Sequence, residues 1–548
     1  MDQKGYSWWR GLVAVLLLHV WTSWSYSWSD GSWAGSFVHV HPDLLLLLAT
    51  GCVLGLRAGF RWFVGHAIVL VLIWITVLRL AESVVVAHHG RELDLYEDFV
   101  HTAGGLWIYL TGDTMSGSLV SWAGRIGVCL GLLTVWWVLY LAVRSVLRCA
   151  AQPRGAIGLL AVCQFAVVTL WIEGSGYRSP HSDLFCDSEV RRTGSHLGNV
   201  WATAPWHDAE AIADRWARAK MEREESSTDL ARLKGAHVVV YFVESYGRVL
   251  FTHEESRNRL APHCARLSKT LKERGFASCT AYASSPSAGS NSHVAHADFL
   301  SGIAIQNSSQ IDVLLETDVM TMPRYFNAAG YQTINAQPKL MIEWPEGRRF
   351  YGFAQDFFGK HVKYAGTVYH WAQSPDQFFL QTALERVIRP SKKPVFMQFI
   401  SVISHAPFSM IPPYHEDWSV AADTSRYEPT KRYDLDNWNY LQRPEHQKAL
   451  AETIVYSLET AVGLAEELAS SGSGVMLIVL GDHQPPALTR EWKTYDVPIH
   501  IVSNRPELLA PFQSRGFVDG LMPRLGDDEK SFAMNRFLPR LLLDFSTK

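Results

Sequence analysis

Four stretches in the first third of the chain, residues 11–28, 62–78, 126–143 and 155–172, run 17 or 18 positions without an Asp, Glu, Lys or Arg. Each approaches the roughly 20 apolar residues that cross a bilayer core. A fifth, residues 44–56, is shorter and is extended by the uncharged segment before Asp43, which holds Trp33, Phe37 and Val38. The first 175 residues carry 20 charged side chains and the remaining 373 carry 83. The second part, at about 22%, is close to the usual share of about 25% for a soluble domain. The chain therefore reads as an N-terminal α-helical transmembrane bundle of about five spans (residues 1–173), a connector (174–235) and a globular domain (236–548). Single histidines inside the spans, His19 and His66, read as packed polar groups rather than ligands. A cleaved signal peptide over residues 11–28 would need a small-residue cleavage site, which the sequence lacks.

Basic residues set the orientation. Lys4 and Arg10 at the N-terminus, Arg57 and Arg61, and Arg144, Arg148 and Arg154 fall on the same side after five spans, the cytoplasmic one. Residues 82–113, with Glu92, Asp94, Glu97 and Asp98 against Arg91, then lie outside, and so does everything after Glu173. The formal net charge is −3 and no basic run occurs, which argues against a nucleic-acid partner. Residues 208–233 are rich in Ala, Arg and Glu at helical spacing and read as a charged surface helix.

From Ala236 onward, short apolar runs alternate with helical segments. Residues 237–243, 276–283, 331–334, 394–400, 475–480 and 497–502 read as strands. The first, fourth and fifth are almost continuously apolar, as strands buried on both faces are. The domain is thus α/β with a mostly parallel sheet, in which ligands bind beyond the carboxyl ends of the strands. Cys264 and Cys279 lie in this outward-facing part and form a candidate disulfide, with Cys186 left over; Cys52, Cys129, Cys149 and Cys163 belong to the membrane part. No cysteine pair has zinc-site spacing.

The polar residues that carry chemistry follow the strands. Glu244 ends VVVYFVE, and Asp482 and His483 follow VMLIVLG. A carboxylate at the tip of a buried strand calls for a cation or a helix N-terminus. Oxygen and nitrogen donors converging from two strand ends suit Zn²⁺ or Mn²⁺. Residues 285–302, SPSAGSNSHVAHADFLSG, form a small-residue loop entering a helix, with Ser292 near the helix start. There a hydroxyl beside a divalent cation becomes a nucleophile for phosphoryl or sulfuryl transfer. The competing reading makes a serine of this loop a helix cap, a role open also to Ser290 or Asn291. His293 and His296 read as helix-face residues within reach of substrate. His405, just past a strand in FISVISHAPF, is a candidate to bind a substrate phosphate or protonate a leaving oxygen. Trp344, Glu346, Arg348 and Arg349 in EWPEGRRFYG suggest a polar rim, with the Arg pair either substrate-binding or solvated. His500 is a further candidate, for a second metal.

Taken together, Glu244, Ser292, His405 and Gly481-Asp482-His483 resemble the sulfatase-like branch of the alkaline phosphatase superfamily, and within it the membrane-anchored lipoteichoic acid synthases, phosphoglycerol transferases and phosphoethanolamine transferases. The resemblance implies that Glu244, Asp482, His483 and Ser292 bind the metal, that Ser292 becomes covalently substituted, and that His405, Trp344 and Arg348 contact substrate. Two positions depart from the family's pattern. Glu346 stands at the third position of its Trp-x-Arg, and Ser292 stands where these transferases commonly carry Thr. Formylglycine sulfatases require C/S-x-P-x-R; Ser284 to Ala288 have the Pro but not the Arg. The function implied is transfer of a phosphoryl headgroup from a membrane phospholipid donor to a glycan or glycolipid acceptor, on the outer face of a bacterial cytoplasmic membrane, with Mn²⁺ or Zn²⁺. The alternatives are a phosphodiesterase or sulfatase-type hydrolase with the same site, and a membrane scaffold or transporter-like protein with a degenerate domain.

Overall fold

The computed structural model describes residues 10, 13–18, 20–21, 47–48, 59–89, 119–150, 205–224, 228–369, 372–406, 408–433, 444–491, 493–524 and 531–547. The chain divides into two compact units, one built from residues 1–86 and 92–204, the other from 87–91 and 205–548.

In the first unit the uncharged stretch 62–78 lies within helix α1 (Arg61–His89) and the stretch 126–143 within α2 (Leu119–Ala150). Val64, Ile68 and Leu72 of α1 are buried in one cluster with Leu139, Val143 and Leu147 of α2. His66 packs as a polar group. Its ring stacks on Tyr140 at 4.2 Å, and its Nδ1 accepts a hydrogen bond from Trp136 Nε1 at 3.2 Å. Among the described residues no helix is long and apolar enough to cross a membrane. The stretches 11–28, 44–56 and 155–172, the loops between spans, His19 and Cys186 lie wholly or largely outside the described residues.

The second unit is a three-layer α/β/α domain. Its strands are β1 (His237–Val243), β2 (Ala277–Ser284), β3 (Gln332–Gln337), β4 (Gln355–Phe358), β5 (Val395–Ser401), β6 (Met410–Ile411), β7 (Lys431–Arg432), β8 (Val475–Gly481), β9 (Asp496–Ser503), β10 (Val518–Asp519) and β11 (Phe532–Ala533). Nine of them form one sheet in the order β10-β2-β9-β8-β1-β5-β3-β4, with β11 beside β2, while β6 and β7 form a separate ribbon. The five adjacent strands β8, β1, β5, β3 and β4 run parallel. β9 enters antiparallel between β8 and β2, a reversal that its apolar sequence does not announce.

The central strand β1 shows why its sequence is apolar throughout. Val239, Tyr241 and Val243 face one helical layer, and Val238, Val240 and Phe242 the other. The first layer holds α4 (Glu254–Glu273), α8 (Asp376–Ala383) and α9 (Pro444–Ala469). The opposite layer holds α5 (Ser292–Ser301), α6 (Ser308–Leu315) and α10 (Phe537–Phe545). The connector helix α3 runs over Pro205–Glu224 and docks on this domain. Ile212 is fully buried, Arg215 donates to Ala304 O and Gln310 Oε1, and Trp216 Nε1 donates to Asp318 Oδ1. The helix does not reach residue 233, because Leu230 and Lys234 take positive φ values around a 3₁₀ turn at Ala231–Leu233.

The expected Cys264–Cys279 disulfide is absent: both thiols are free and buried. Cys264 sits on α4 in one helical layer's core and Cys279 on β2 in the other, so the sheet separates them. Burial pushes each thiol up to about 12. Peptide mapping of the alkylated protein should find Cys264 and Cys279 unmodified in the native state, labelled after denaturation, and in no cross-linked peptide.

Candidate active site

Parallel pairing of β1 and β8 puts Val243 opposite Gly481, so Glu244 and Asp482 are the residues that leave the sheet side by side. Two glycines let the departing loops cross at backbone distance. A Cβ on Gly481 would lie 1.8 Å from Tyr246 O, and one on Gly247 would lie 2.0 Å from Gln484 Oε1. Gln484 then fastens the crossing, accepting from Val249 N and donating to Asp496 O and Thr494 O. The buried ion pair Arg248–Asp496 at 2.8 Å closes it.

The loop that carries Ser292 joins from β2. Gly289 N donates to Gln484 O, and Ser285 Oγ donates to Asp482 O at 2.5 Å. Asn291 takes φ 61° and its side chain makes no capping bond to the helix, which starts as α5 at Ser292. The capping reading therefore fails for Asn291, and Ser290 Oγ is buried without a hydrogen bond. Ser292 Oγ instead lies 3.0 Å from Glu244 Oε2, to which it donates, and 3.1 Å from His483 Nε2. His483 Nε2 is also 3.1 Å from Glu244 Oε1.

Glu244, Asp482 and His483 each offer one ligand atom within 4.8 Å of the others, and all three are buried. Asp482 Oδ1 accepts from Ser245 N and His483 N at 2.9 and 2.7 Å, while its Oδ2 is buried with no hydrogen bond. The electrostatics are those of an anionic hole. Burial and the charge of Glu244 push the Asp482 carboxyl up to about 7. Burial also pushes Glu244 upward, but the His483 imidazole beside it outweighs this and holds it below the ordinary range. His483 would be lowered by burial, yet the two carboxylates raise it to about 9. The proton on His483 thus stands where a cation would balance the charge, and the mixed oxygen and nitrogen donors with an orphaned carboxylate oxygen fit a divalent metal.

His405 follows β5, whose loop is tied to the same acid: Ser404 Oγ donates to Glu244 O at 2.6 Å. His405 Nδ1–H donates to Ala406 O at 2.8 Å, which leaves the lone pair of the neutral ring on Nε2. Burial lowers its pKa and Glu244 pulls it back up. Trp344 immediately precedes helix α7 (Pro345–Tyr351), which carries Arg348. Trp344 packs edge-on against Tyr351, and Arg348 Nε lies 3.5 Å from Asp356 Oδ2. Arg349 pairs with Glu316 at 2.8 Å. No hydrogen bond or ion pair among the described residues joins Trp344 or Arg348 to the cluster. His500 is no metal candidate: Tyr246 OH and Thr280 Oγ1 occupy its two ring nitrogens at 2.9 and 2.7 Å inside the core, and burial lowers it to about 3. His293 ties α5 to α6 through Ser308 Oγ at 2.9 Å.

Two residues at the site carry more than their sequence positions suggest. His296, one helical turn after Ser292, is buried with Nε2 3.9 Å from Asp482 Oδ2. Lys339 follows β3 at the same sheet edge. Burial lowers its ammonium pKa, and the Glu244 carboxylate raises it.

Residues 236–499 match the family model described as Sulfatase. No curated protein sequence matches the chain. Similar solved structures include the lipoteichoic acid synthase LtaP of Listeria monocytogenes, at 17% identity and TM-score 0.34, over 49% of this chain and 65% of that one. They also include the phosphoglycerol transferase GacH of Streptococcus pyogenes, at 14% identity and TM-score 0.35, over 54% of this chain and 75% of that one. The C-terminal periplasmic domain of EptC from Escherichia coli matches at 11% identity and TM-score 0.34, over 50% and 74%. The chain thus spans just under two thirds of the Listeria enzyme.

Gly481→Ala should destabilise the domain by about 1–3 kcal/mol, the usual range for overpacking, and weaken metal binding by separating Glu244 from Asp482; thermal denaturation and calorimetric metal titration read the two effects. Because His483 and Asp482 must both lose their protons to bind a metal, apparent affinity should rise with pH up to about 9, more steeply below about pH 7 where the Asp482 carboxyl is also protonated, and level off above 9. Titration of the metal-free protein at pH 6.5, 7.5 and 8.5 checks the slope.

Proposed function

We propose that this chain, whose residues 236–499 form a sulfatase-family domain of the alkaline phosphatase superfamily, is a metal-dependent phosphotransferase that moves a phosphoryl headgroup from a membrane phospholipid to a glycan or glycolipid hydroxyl. The observation that carries the reading is the placement of Ser292 Oγ within 3.1 Å of both Glu244 and His483. A serine there is a nucleophile and not a cap.

A divalent cation held by Glu244, Asp482 and His483 supplies positive charge that lowers the pKa of the Ser292 hydroxyl and neutralises the phosphate. Ser292 Oγ forms a bond to phosphorus as the bond to the diacylglycerol oxygen breaks, and Glu244 Oε2 accepts the serine proton. Glu244 passes that proton to the departing oxygen. In the second half-reaction the acceptor oxygen displaces Ser292, and His405 Nε2, on a ring whose Nδ1–H donates to Ala406 O, takes the acceptor's proton and returns it to Ser292 Oγ. The proton count therefore closes over one turnover. Trp344 and Arg348 form the outer rim that receives the headgroup.

The rim also suits a lipid donor. Lys339 is a cation for a phosphate oxygen, and the segment that follows it exposes Met341 (50%) and Ile342 (73%). Pro338 O packs against Gly359, where a Cβ would meet it at 2.1 Å, Lys360 N donates to Leu340 O, and Glu343 pairs with Lys360. A braced loop with an apolar tip and a cation at its base matches the order of acyl chain and phosphate in a bilayer. The uncharged N-terminal stretches hold the enzyme at that bilayer, with the domain on the outer face of a bacterial cytoplasmic membrane.

Intact-protein mass spectrometry after incubation with mixed phospholipid vesicles and Mn²⁺ or Zn²⁺ tests the mechanism. A covalent adduct of headgroup mass is expected on the wild type and none on Ser292→Ala, whose turnover should fall by at least about 10³-fold. Release of the headgroup phosphomonoester to water from the vesicles, or of phosphate or sulfate from added soluble esters, without an adduct would instead establish a hydrolase. Replacing Met341 and Ile342 together by Ser should lower turnover of vesicle-borne lipid about tenfold, equivalent to ~1.4 kcal/mol of lost apolar contact, and leave a water-soluble phosphodiester substrate unaffected.

A further inference from the structure

We propose that Asp376, buried at the start of helix α8, is a positioning residue for His405: its carboxylate grips the point where β5 ends and so sets the turn that carries the imidazole. The inference rests on the covalent Ser292 mechanism proposed above, in which His405 acts in the second half-reaction.

Asp376 is fully buried and opens α8, where the first turn of a helix stabilises a carboxylate. Its Oδ2 accepts from Ser401 Oγ at 2.5 Å, and the main-chain N–H of Val402 stabilises its charge. Ser401 is the last residue of β5 and pairs with Val243, the residue before Glu244. Asp376 thus holds the two residues at which the chain leaves the sheet, level with Glu244. Burial pushes its carboxyl up to about 7 in spite of both donors, a penalty that an apolar side chain would avoid. A buried carboxylate whose hydrogen bonds go to one strand exit points to what that exit carries.

The exit carries His405. Its turn closes when His405 N donates to Val402 O at 3.2 Å, so the residue that meets Asp376 through its N–H holds His405 through its carbonyl. On the far side Ser404 Oγ donates to Glu244 O at 2.6 Å. The turn is therefore fixed between Asp376 and the main chain of Glu244. Its apolar side chains, Val402 and Ile403, are buried in one cluster with Tyr369 and Tyr456. Tyr456 OH accepts from Gln377 N at 3.2 Å, which ties the start of α8 to the same cluster. Tyr241 of β1 feels the Asp376 charge: burial and that charge push its phenol well above its ordinary range, so it stays protonated.

The acceptor character of Asp376 is what the turn needs. An amide keeps the volume but turns one acceptor oxygen into a donor, and the donors of Ser401 and Val402 cannot both be satisfied by the oxygen that remains in an unshifted turn.

Time-resolved intact-protein mass spectrometry of the full chain separates the two half-reactions. Zinc-loaded protein is incubated with vesicles of phosphatidylglycerol and phosphatidylethanolamine, the vesicles are removed, and glycerol is added as acceptor hydroxyl. Asp376→Asn should form the Ser292 adduct at close to the wild-type rate and hold it about tenfold longer, since misplacing a catalytic group by about 1 Å lowers rates by up to about 10²-fold. Ser401→Ala, which removes the hydroxyl donor from the other side, should do the same, and it decides the question where Asp376→Asn does not fold. In His405→Gln the adduct should last about 10²-fold longer, and adding Asp376→Asn to it should change nothing further. The zinc dissociation constant should be the same in every variant. Adduct loss at the wild-type rate in both Asp376→Asn and Ser401→Ala overturns the inference. So does an equal fall in adduct formation and adduct loss, or a further slowing of His405→Gln. No adduct on the wild type overturns the covalent mechanism and this inference with it.

Discussion

Two carboxylates with ligand atoms within 4.8 Å of one another inside a protein repel each other and lose their hydration, and the rest of the site follows from how that is tolerated. Parallel pairing of β1 and β8 forces Glu244 and Asp482 together, and the absence of side chains at Gly247 and Gly481 lets the loops behind them close. Main-chain N–H groups of Ser245 and His483 stabilise one oxygen of Asp482, and the His483 imidazole stabilises Glu244. These contacts leave one oxygen of Asp482 without a hydrogen bond, while the hydroxyl of Ser292 donates to Glu244. The negative charge is therefore a constraint on the fold itself. A cation that enters relieves it, and metal binding is coupled to the loss of the His483 proton.

Much of this is legible in the sequence because it rests on strand ends. In β1, β5 and β8 the apolar runs mark buried parallel strands, and the first polar residues after them fall at the edge where ligands bind. Glu244, Asp482, His483 and His405 are found that way, and the small-residue loop before Ser292 marks the fourth contribution. The misreadings share a different cause. Residue type and compartment point to His500 and to the Cys264–Cys279 pair, but each depends on which face of the sheet a side chain meets, and β9 runs antiparallel where the pattern gives no sign of it. A histidine in the middle of a strand is enclosed by its neighbours, here Tyr246 and Thr280, and cannot reach a strand-end site.

Residues that the sequence does not single out act across larger separations. Gln484, Ser404 and Ser285 hold the three loops to one another through main-chain groups of partners 10 to 197 positions away. Nothing in their immediate neighbours distinguishes them from ordinary loop polar residues. Lys339 belongs to this class as well: its meaning comes from β3 lying beside β5, and hence beside the loop that carries His405.

Helix α5 shows how one short element brings two side chains, Ser292 and His296, to the buried carboxylates. A helix beginning at Ser292 offers main-chain N–H groups to an anion at its first turn, while its side chains four apart point to the same side. Ser292 stands at the first position of the helix, and His296 is brought on the same side to within 3.9 Å of Asp482 Oδ2. With one imidazole, the donor set of Glu244, Asp482, Ser292 and His483 is mostly oxygen and is open to manganese and magnesium. The position of the His296 ring depends on the phase of α5 against the sheet, and Phe242 packs on that ring at 4.3 Å between centroids.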